Sequence, residues 1–198
     1  MQDNSGAFLS EQETMIRDSA RKVAQEVVAA TAAERDRTGA WPHHELHAVA
    51  ELGFLGMHIP EEYGGSKLSF VEYCLAIEEF AAADAGLATI IHVHNGMGDW
   101  VNRYGTEAQK SKYLPGIASG KTIACGLLTE PQAGSDTANF RTTARREGDH
   151  FVLNGTKQFI SNGSEAGFAF ALAITDKNAG KRGASLFIVD PKGPGYKV

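Results

Sequence analysis

The stretch Leu127-Leu128-Thr129-Glu130-Pro131-Gln132-Ala133-Gly134-Ser135-Asp136 divides the chain into two unlike halves. Before it, apolar residues recur with helical spacing; after it, apolar runs alternate with turn residues. A Thr-Glu-Pro turn followed by small residues places the hydroxyls of Thr129 and Ser135 where the two halves meet. Ligand clefts favour such boundaries, whereas the simpler alternative is a plain loop punctuated by Pro131 and Gly134.

The composition indicates a globular protein of ordinary character. Of its 198 residues, 42% are hydrophobic and 22% charged. A net charge of −5 argues against nucleic acid and anionic membrane surfaces as main partners. We expect neither a secretory signal nor a spanning helix. Basic residues recur in the second half, where solvated strand faces are favoured over contact with an anionic ligand; they are Arg141, Arg145, Arg146, Lys157, Lys177, Lys181 and Arg182.

The two cysteines indicate the compartment. Cys74 and Cys125 lie far apart in apolar surroundings, a pattern that fits buried free thiols better than a disulfide framework or a zinc site. We therefore expect a cytoplasmic protein.

Capping boxes mark helix starts throughout residues 1–121. Ser10 with Glu13, Ser69 with Glu72, and Thr106 with Gln109 each pair a capping hydroxyl with a side chain that reaches back to it. Apolar spacing then predicts five helices, over about 11–31, 42–52, 69–83, 87–104 and 106–118. In the third helix we assign the buried stripe to Val71, Cys74, Leu75, Ile77 and Glu78. The helices predict an N-terminal bundle domain.

Residues 122–198 instead show the signals of a β-domain. The segments with strand character are 122–128, 141–146, 151–153, 156–160, 168–174 and 185–189. Asn154-Gly155, between two of them, is a strong hairpin signal. We predict an antiparallel barrel or sandwich that is incomplete at its C-terminal end and exposes an open edge. The fold class is therefore α+β, with domains at 1–121 and 122–198.

Three motifs in order give the chain a family resemblance. Leu127–Asp136, Asn154–Gly163 and Leu55–Gly65 together resemble the acyl-CoA dehydrogenase family, and the resemblance runs from Leu9 to Pro194. It implies a helical domain, a middle β-domain and a C-terminal helical domain, with FAD bound between the latter two. Because the C-terminal domain is absent from the sequence, we expect a truncated chain. The full-length family implies a homo-oligomer, either a tetramer or a dimer.

The resemblance also implies site residues. Those expected to contact FAD are Gly126, Leu127, Leu128, Thr129, Gly134, Ser135, Phe159, Ile160 and Ser161, and those expected near the substrate are Ser135, His92 and Asn95. Hydride arrival places negative charge on the flavin, so fixed donors such as the Thr129 and Ser161 hydroxyls lower the barrier. Phe159 offers a flat apolar face where many family members carry tryptophan. The alternative interpretations are strand core for Phe159 and a turn residue for Ser161.

No residue of this chain is expected to be the catalytic base. In the family the base is a glutamate of the C-terminal domain, and we promote neither Glu130 nor Glu78 or Glu79 to that role. His92 and His94 face different sides of a helix, so no metal site is expected. His43, His44 and His47 are expected on a solvated helix face.

The resemblance implies FAD-dependent α,β-dehydrogenation of an acyl-CoA, with electrons passed to an electron-transfer flavoprotein and the truncated chain inactive alone. Two alternatives stay open. One is an oxygen-using acyl-CoA oxidase or flavin monooxygenase relative. The other is a non-catalytic fragment that binds acyl-CoA or flavin weakly.

Overall fold

Helices fill the first of two units in a computed structural model that describes residues 8–198, with only the backbone described at Lys181. This helical unit spans Met1–Lys121 and the second, the sheet unit, spans Thr122–Val198. The helices are α1 (Glu11–Val23), a π-helical turn (Ala24–Val28), α2 (Ala29–Thr38), α3 (His43–Glu51), α4 (Phe70–Ala83), α5 (Ala85–Tyr104) and α6 (Glu107–Ala118). No helix within residues 8–198 has both the length and the apolar character that crossing a membrane requires.

All three predicted capping boxes form. At the start of α1, the Ser10 hydroxyl accepts the Glu13 amide at 3.2 Å, and the Glu13 carboxylate accepts the Ser10 amide at 2.7 Å. The starts of α4 and α6 repeat this arrangement. Each box satisfies two amides that lack a partner in the first turn, which is why these helix starts can be located from sequence.

The first helix is longer than predicted. Instead of ending near residue 31, α1 continues through the π turn into α2 and stops at Gly39, whose φ of 68° is left-handed. Glycine adopts this conformation without a Cβ penalty, so Gly39 ends the helix. The Ala- and Glu-rich residues before it favour the helix up to that point.

The buried face of α4 differs from the predicted stripe. The buried residues are Glu72, Tyr73, Ala76 and Phe80, whereas Val71 and Cys74 are exposed. The expectation of a buried Cys74 is therefore wrong, while Cys125 is fully buried. Apolar residues of α4 occur on several of its faces, so their periodicity alone predicted the wrong buried face. Phe80 decides the actual one, since it packs edge-on against Phe54 at a centroid distance of 5.3 Å.

The sheet unit contains one mixed sheet of five strands. They are β1 (Ala124–Leu127), β2 (Thr143–Glu147), β3 (His150–Asn154), β4 (Phe168–Ile174) and β5 (Ala184–Val189). Strand β4 pairs in parallel with β1 and β2 and antiparallel with β5, and β2 pairs antiparallel with β3. The prediction of a helical bundle followed by a β-domain is confirmed, but the purely antiparallel pairing is wrong. Parallel pairing needs a long crossover, here residues 128–167, which strand patterns do not reveal.

The hairpin lies elsewhere than predicted. Strands β2 and β3 are joined through Gly148 and Asp149, with Gly148 at a φ of 64°. Asn154 instead ends β3, and residues 156–160 form no strand. Gly155 is required by close approach, because a Cβ there would lie 2.7 Å from the Thr142 Cα. A glycine demanded by packing and one demanded by a turn look alike in sequence.

The buried face of the sheet is built from small residues. Cys125, Leu127, Ala169 and Ala171 form its centre together with Ala166, and Leu153, Ile160, Val189 and Tyr196 pack around them. Ile160 therefore connects the loop after β3 to the strand β1 face. This packing holds residues 157–163 close to the start of the motif at 127–136.

Candidate functional site: two loops joined by a buried ion pair

Glu130 lies at the centre of the motif and is only 4% exposed. Its Oε2 accepts the Arg141 amide at 2.6 Å and the Gln132 side-chain amide at 2.7 Å. Its Oε1 accepts the Thr142 amide at 3.0 Å and the Lys157 ammonium at 2.8 Å. Four donors from three segments of the chain therefore meet on one carboxylate.

Lys157 joins the two loops that the sequence singled out. Its Nζ bonds the Leu128 carbonyl at 3.0 Å as well as Glu130, and it lies 4.8 Å from the centre of the Phe140 ring. Beside it, the Gln158 amide donates to the Thr129 carbonyl at 2.8 Å. Residues 128–130 and 157–158 are thus neighbours through both side-chain and main-chain bonds. We name these residues the joined loops.

The Glu130 carboxylate stays ionised at neutral pH. Burial alone raises the pKa of Glu130, but the hydrogen bonds from Lys157, Thr142 and the Arg141 amide outweigh it and lower the pKa to about 2. A carboxylate held by two main-chain amides and a lysine stays ionised. Glu130 therefore has neither the basicity nor a free lone-pair direction suited to proton abstraction.

Two hydroxyls and an aromatic ring border the joined loops. The Thr129 and Ser161 side chains are half-buried, and no hydrogen bond within residues 8–198 occupies either hydroxyl. Phe159 is 83% exposed and has a φ of 56°, a left-handed conformation that is uncommon for an aromatic residue. The strand-core interpretation of Phe159 is therefore wrong. Such donors beside an open ring fit a planar ligand with a polar edge.

Most of the remaining predicted FAD residues lie in strand β1 or in the loop that follows it. Gly126 and Leu127 are the last two residues of strand β1, and the Leu128 carbonyl accepts a hydrogen bond from Lys157. Gly134 and Ser135 are exposed in the loop that follows. A Cβ at Gly134 would meet no atom within 4 Å, so nothing in the described chain requires glycine there. A ligand that approaches the backbone closely would require it.

His92, in the helical unit, is bonded to a tyrosine. Its Nδ1 lies 2.6 Å from the Tyr73 hydroxyl. Burial raises the pKa of Tyr73 to about 12, so this hydroxyl stays protonated. The Tyr73 ring in turn stacks on His58 at a centroid distance of 4.4 Å. His92 is exposed beyond this bond, and its substrate contact stays a prediction.

Asn95 has a structural task instead. It is 1% exposed, its Oδ1 accepts the Met57 amide at 2.8 Å, and its Nδ2 donates to the carbonyls of Phe54 and Ile91 at 2.9 and 3.0 Å. Both amide protons are used, so we do not carry Asn95 forward as a substrate contact. Its neighbour His94 is fully buried with Nε2 3.0 Å from the Ile117 carbonyl.

Sequence reasoning missed the roles of Glu130 and Lys157. Each motif contains one of these two oppositely charged residues, and they are separated by 27 positions in the chain. Opposite charges in two motifs that converge on one ligand are a usable signal. The loop geometry that buries them is not visible in either motif alone.

Comparisons with known proteins agree with this architecture. The profile of the acyl-CoA dehydrogenase N-terminal domain matches residues 10–121, and that of the middle domain matches residues 125–198. An acyl-CoA dehydrogenase of Bacillus subtilis is 35% identical over 191 residues, which are 96% of this chain and 50% of the relative. The chain spans about half the length of the curated relatives it matches.

Solved structures show the same likeness. A glutaryl-CoA dehydrogenase of Mycobacterium smegmatis in complex with FADH2 superposes with a TM-score of 0.90 at 34% identity, covering 97% of this chain and 48% of that one. A chain from the electron transferring flavoprotein study of Acidaminococcus fermentans gives a TM-score of 0.90 at 39% identity, covering 98% and 50%.

A helical unit followed by a mixed sheet, with both family profiles in order, defines the class as the N-terminal and middle domains of the acyl-CoA dehydrogenases. The resemblance drawn from the three motifs is confirmed. The chain belongs to the acyl-CoA dehydrogenase family.

Proposed function

We propose that the protein binds FAD and takes part in the α,β-dehydrogenation of an acyl-CoA thioester. The observation that carries this proposal is the bonding of the two loops that contain Thr129, Phe159 and Ser161, through the Gln158 amide and the Lys157 ammonium. The FADH2 complex of the glutaryl-CoA dehydrogenase relative supports the choice of cofactor. The identity of the acyl group is not part of the proposal.

When bound, FAD would supply the acceptor for the β-hydride of the substrate. Thr129 and Ser161 would donate hydrogen bonds to the polar edge of the cofactor, where negative charge develops. Donors held in place before reaction stabilise that charge without reorganisation. Phe159 would offer an apolar face to the ring, and the backbone at Gly134 and Ser135 would leave room for the remainder of the ligand.

The α-proton must leave to a base, and we assign that base to none of the described residues. Glu130 is held by four donors, Glu79 is bound by Arg21 through two bonds of 2.7 and 3.0 Å, and Glu78 is an exposed residue of α4.

The electron acceptor we propose is an electron-transfer flavoprotein. The likeness to a chain from the electron transferring flavoprotein study of Acidaminococcus fermentans supports it. We keep a homo-oligomer, either a dimer or a tetramer, and a cytoplasmic location as further proposals. Light scattering of the purified protein tests the first and cell fractionation tests the second.

Thr129→Ala tests the site directly. A full-length version that includes the proposed C-terminal domain is loaded with FAD, made anaerobic and titrated with acyl-CoA thioesters of graded chain length while flavin absorbance is followed. We expect bleaching in the wild type and about tenfold slower bleaching in Thr129→Ala, because removing a preorganised donor raises the barrier and a factor of ten in rate corresponds to about 1.4 kcal/mol.

Thr143→Ala is the matched control, since Thr143 is equally half-buried but lies in strand β2. Equal rates in both variants would contradict the role of Thr129. Protein that takes up no FAD would contradict the proposed function itself.

A further inference from the structure

The Glu130–Lys157 ion pair lies within the joined loops of the candidate site. Lys157 binds the carbonyl of Leu128, and Glu130 directly follows Thr129 in the chain. Gln158, next to Lys157, binds the Thr129 carbonyl, and Phe159 follows it. The backbone segments that carry Thr129 and Phe159 are therefore held together beside this pair.

The pair is buried to a degree unusual for charged side chains. The Glu130 side chain is 2% exposed and that of Lys157 is 10% exposed. The Arg145–Glu147 pair of the same sheet unit leaves 77% and 39% of its side chains exposed. Charges withdrawn from water act on their surroundings with little screening, whereas an exposed pair is screened by solvent and salt.

A purely structural task would not need these charges. Replacing a buried ion pair by apolar residues of similar volume is often neutral or stabilising, so a buried pair is weak evidence for stability. Glu130 also keeps the amides of Arg141 and Thr142 and the Gln132 side chain as donors, so it stays ionised without Lys157. Lys157 can therefore be neutralised while Glu130 keeps its charge.

We propose that Glu130 and Lys157 are a positioning pair for FAD that holds the joined loops together and cancels a charge that would otherwise bias the redox state of the bound cofactor. The inference rests on the proposed function, because it presumes that FAD binds at the joined loops. Neither residue touches the reacting atoms in this proposal; both act through Thr129, Phe159 and the local electrostatic potential.

The test compares the affinities of single and double variants for oxidised and reduced FAD. Reduction by a hydride adds negative charge, so a positive charge left alone favours the reduced form. In Glu130→Gln we expect the affinity for reduced FAD to rise about tenfold relative to that for oxidised FAD, which raises the midpoint potential by about 30 mV for a two-electron couple. In Lys157→Met we expect a shift of similar size in the opposite direction.

The double variant and a surface control complete the design. Glu130→Gln with Lys157→Met leaves no net charge, so its midpoint potential is expected to return close to that of the wild type, although both forms of FAD bind more weakly. Glu147→Gln removes an exposed carboxylate of the same sheet unit and is expected to change neither affinity nor potential. If Glu130→Gln does not fold, Lys157→Met and the double variant carry the same comparison.

The outcomes separate the two proposals. Opposite shifts that cancel in the double variant support the positioning pair. Equal weakening of both forms of FAD, with the potential unchanged, indicates a structural staple and overturns the inference while the proposed function stands. Wild-type protein that binds no FAD overturns both.

Discussion

Asn95 in the helical unit and Glu130 in the sheet unit hold loops by the same means but differ in charge. Asn95 bonds the backbone of Phe54 and Met57, and Glu130 bonds the backbone of Arg141 and Thr142. A neutral amide is sufficient to brace a loop. A carboxylate paired with a buried lysine also braces a loop, and in addition it places two charges near that loop. Bracing alone does not require those charges. The charged version lies beside the residues proposed to bind FAD.

The largest effect should follow from removing the neutral brace. Asn95→Ala strips partners from the buried Met57 amide and the Phe54 carbonyl. Each unsatisfied group costs about 1–3 kcal/mol, so we expect the free energy of unfolding to fall by about 4 kcal/mol. Urea denaturation followed by helical circular dichroism measures it. Asn102→Ala, on the same helix but only half-buried, is the control, and an equal loss in both would show that Asn95 is not a brace.

Acid should destabilise the two units at different pH values. Burial lowers the pKa of His94 to about 4, against the carbonyls of Ile117 and Leu55, which raise it. The unfolded chain therefore binds a proton near pH 6.5 that the folded helical unit takes up only near pH 4. The contribution of His94 to the free energy of unfolding is fully present above pH 6.5, and about 3 kcal/mol of it is lost as the pH drops to 4.

The sheet unit should lose stability at a lower pH than the helical unit. The lowered pKa of Glu130 stabilises the fold above pH 4.5, and this contribution is lost as the pH falls from there towards 2. Helical circular dichroism and the near-ultraviolet signal, recorded from pH 7 to 2 in fixed urea, should show two steps. His94→Gln should flatten the first step alone; a first step that persists unchanged would assign it to another group.

A capping box offers a smaller and local test. Ser69→Ala removes the hydroxyl that accepts the Glu72 amide at 3.3 Å, and we expect a loss of about 1 kcal/mol in unfolding free energy. Ser69→Asp keeps an acceptor and should lose less. Equal losses in the two variants would show that the box contributes little to the start of α4.

The smallest effect is expected at the exposed pair of the sheet unit. Arg145→Ala breaks the contact with Glu147, and the unfolding free energy should change by less than about 0.5 kcal/mol, because exposed ion pairs contribute little. A clearly larger change would remove the contrast between this pair and Glu130–Lys157. Thermal unfolding at low and high salt measures it.

The helical unit follows its sequence closely because its signals are local. Each capping box joins residues three positions apart, and each helix start was predicted within two residues. The rotation of α4 is the exception, since Phe80 is selected by Phe54, which is distant in sequence. The expected exposure of His43, His44 and His47 is also found.

The sheet unit followed its sequence less well. Strand β4 was predicted with its observed bounds, yet its parallel partners and the hairpin position were not predicted. The motifs predicted Thr129, Phe159 and Ser161 as site residues, but the contact between their loops depends on Gln158 meeting Thr129 across the chain.

By itself, the sequence determined the order of a helical unit and a sheet unit, the helix starts and the family. Helix caps, helix breakers and the individual motifs each involve only a few neighbouring residues, so they can be recognised without knowing which distant residues they contact. Tertiary structure alone decided that Gly155 serves close packing, that Cys74 is exposed and that Asn95 is a brace. It also decided that Glu130 and Lys157 meet, because burial of a charge depends on what the folded chain places around it.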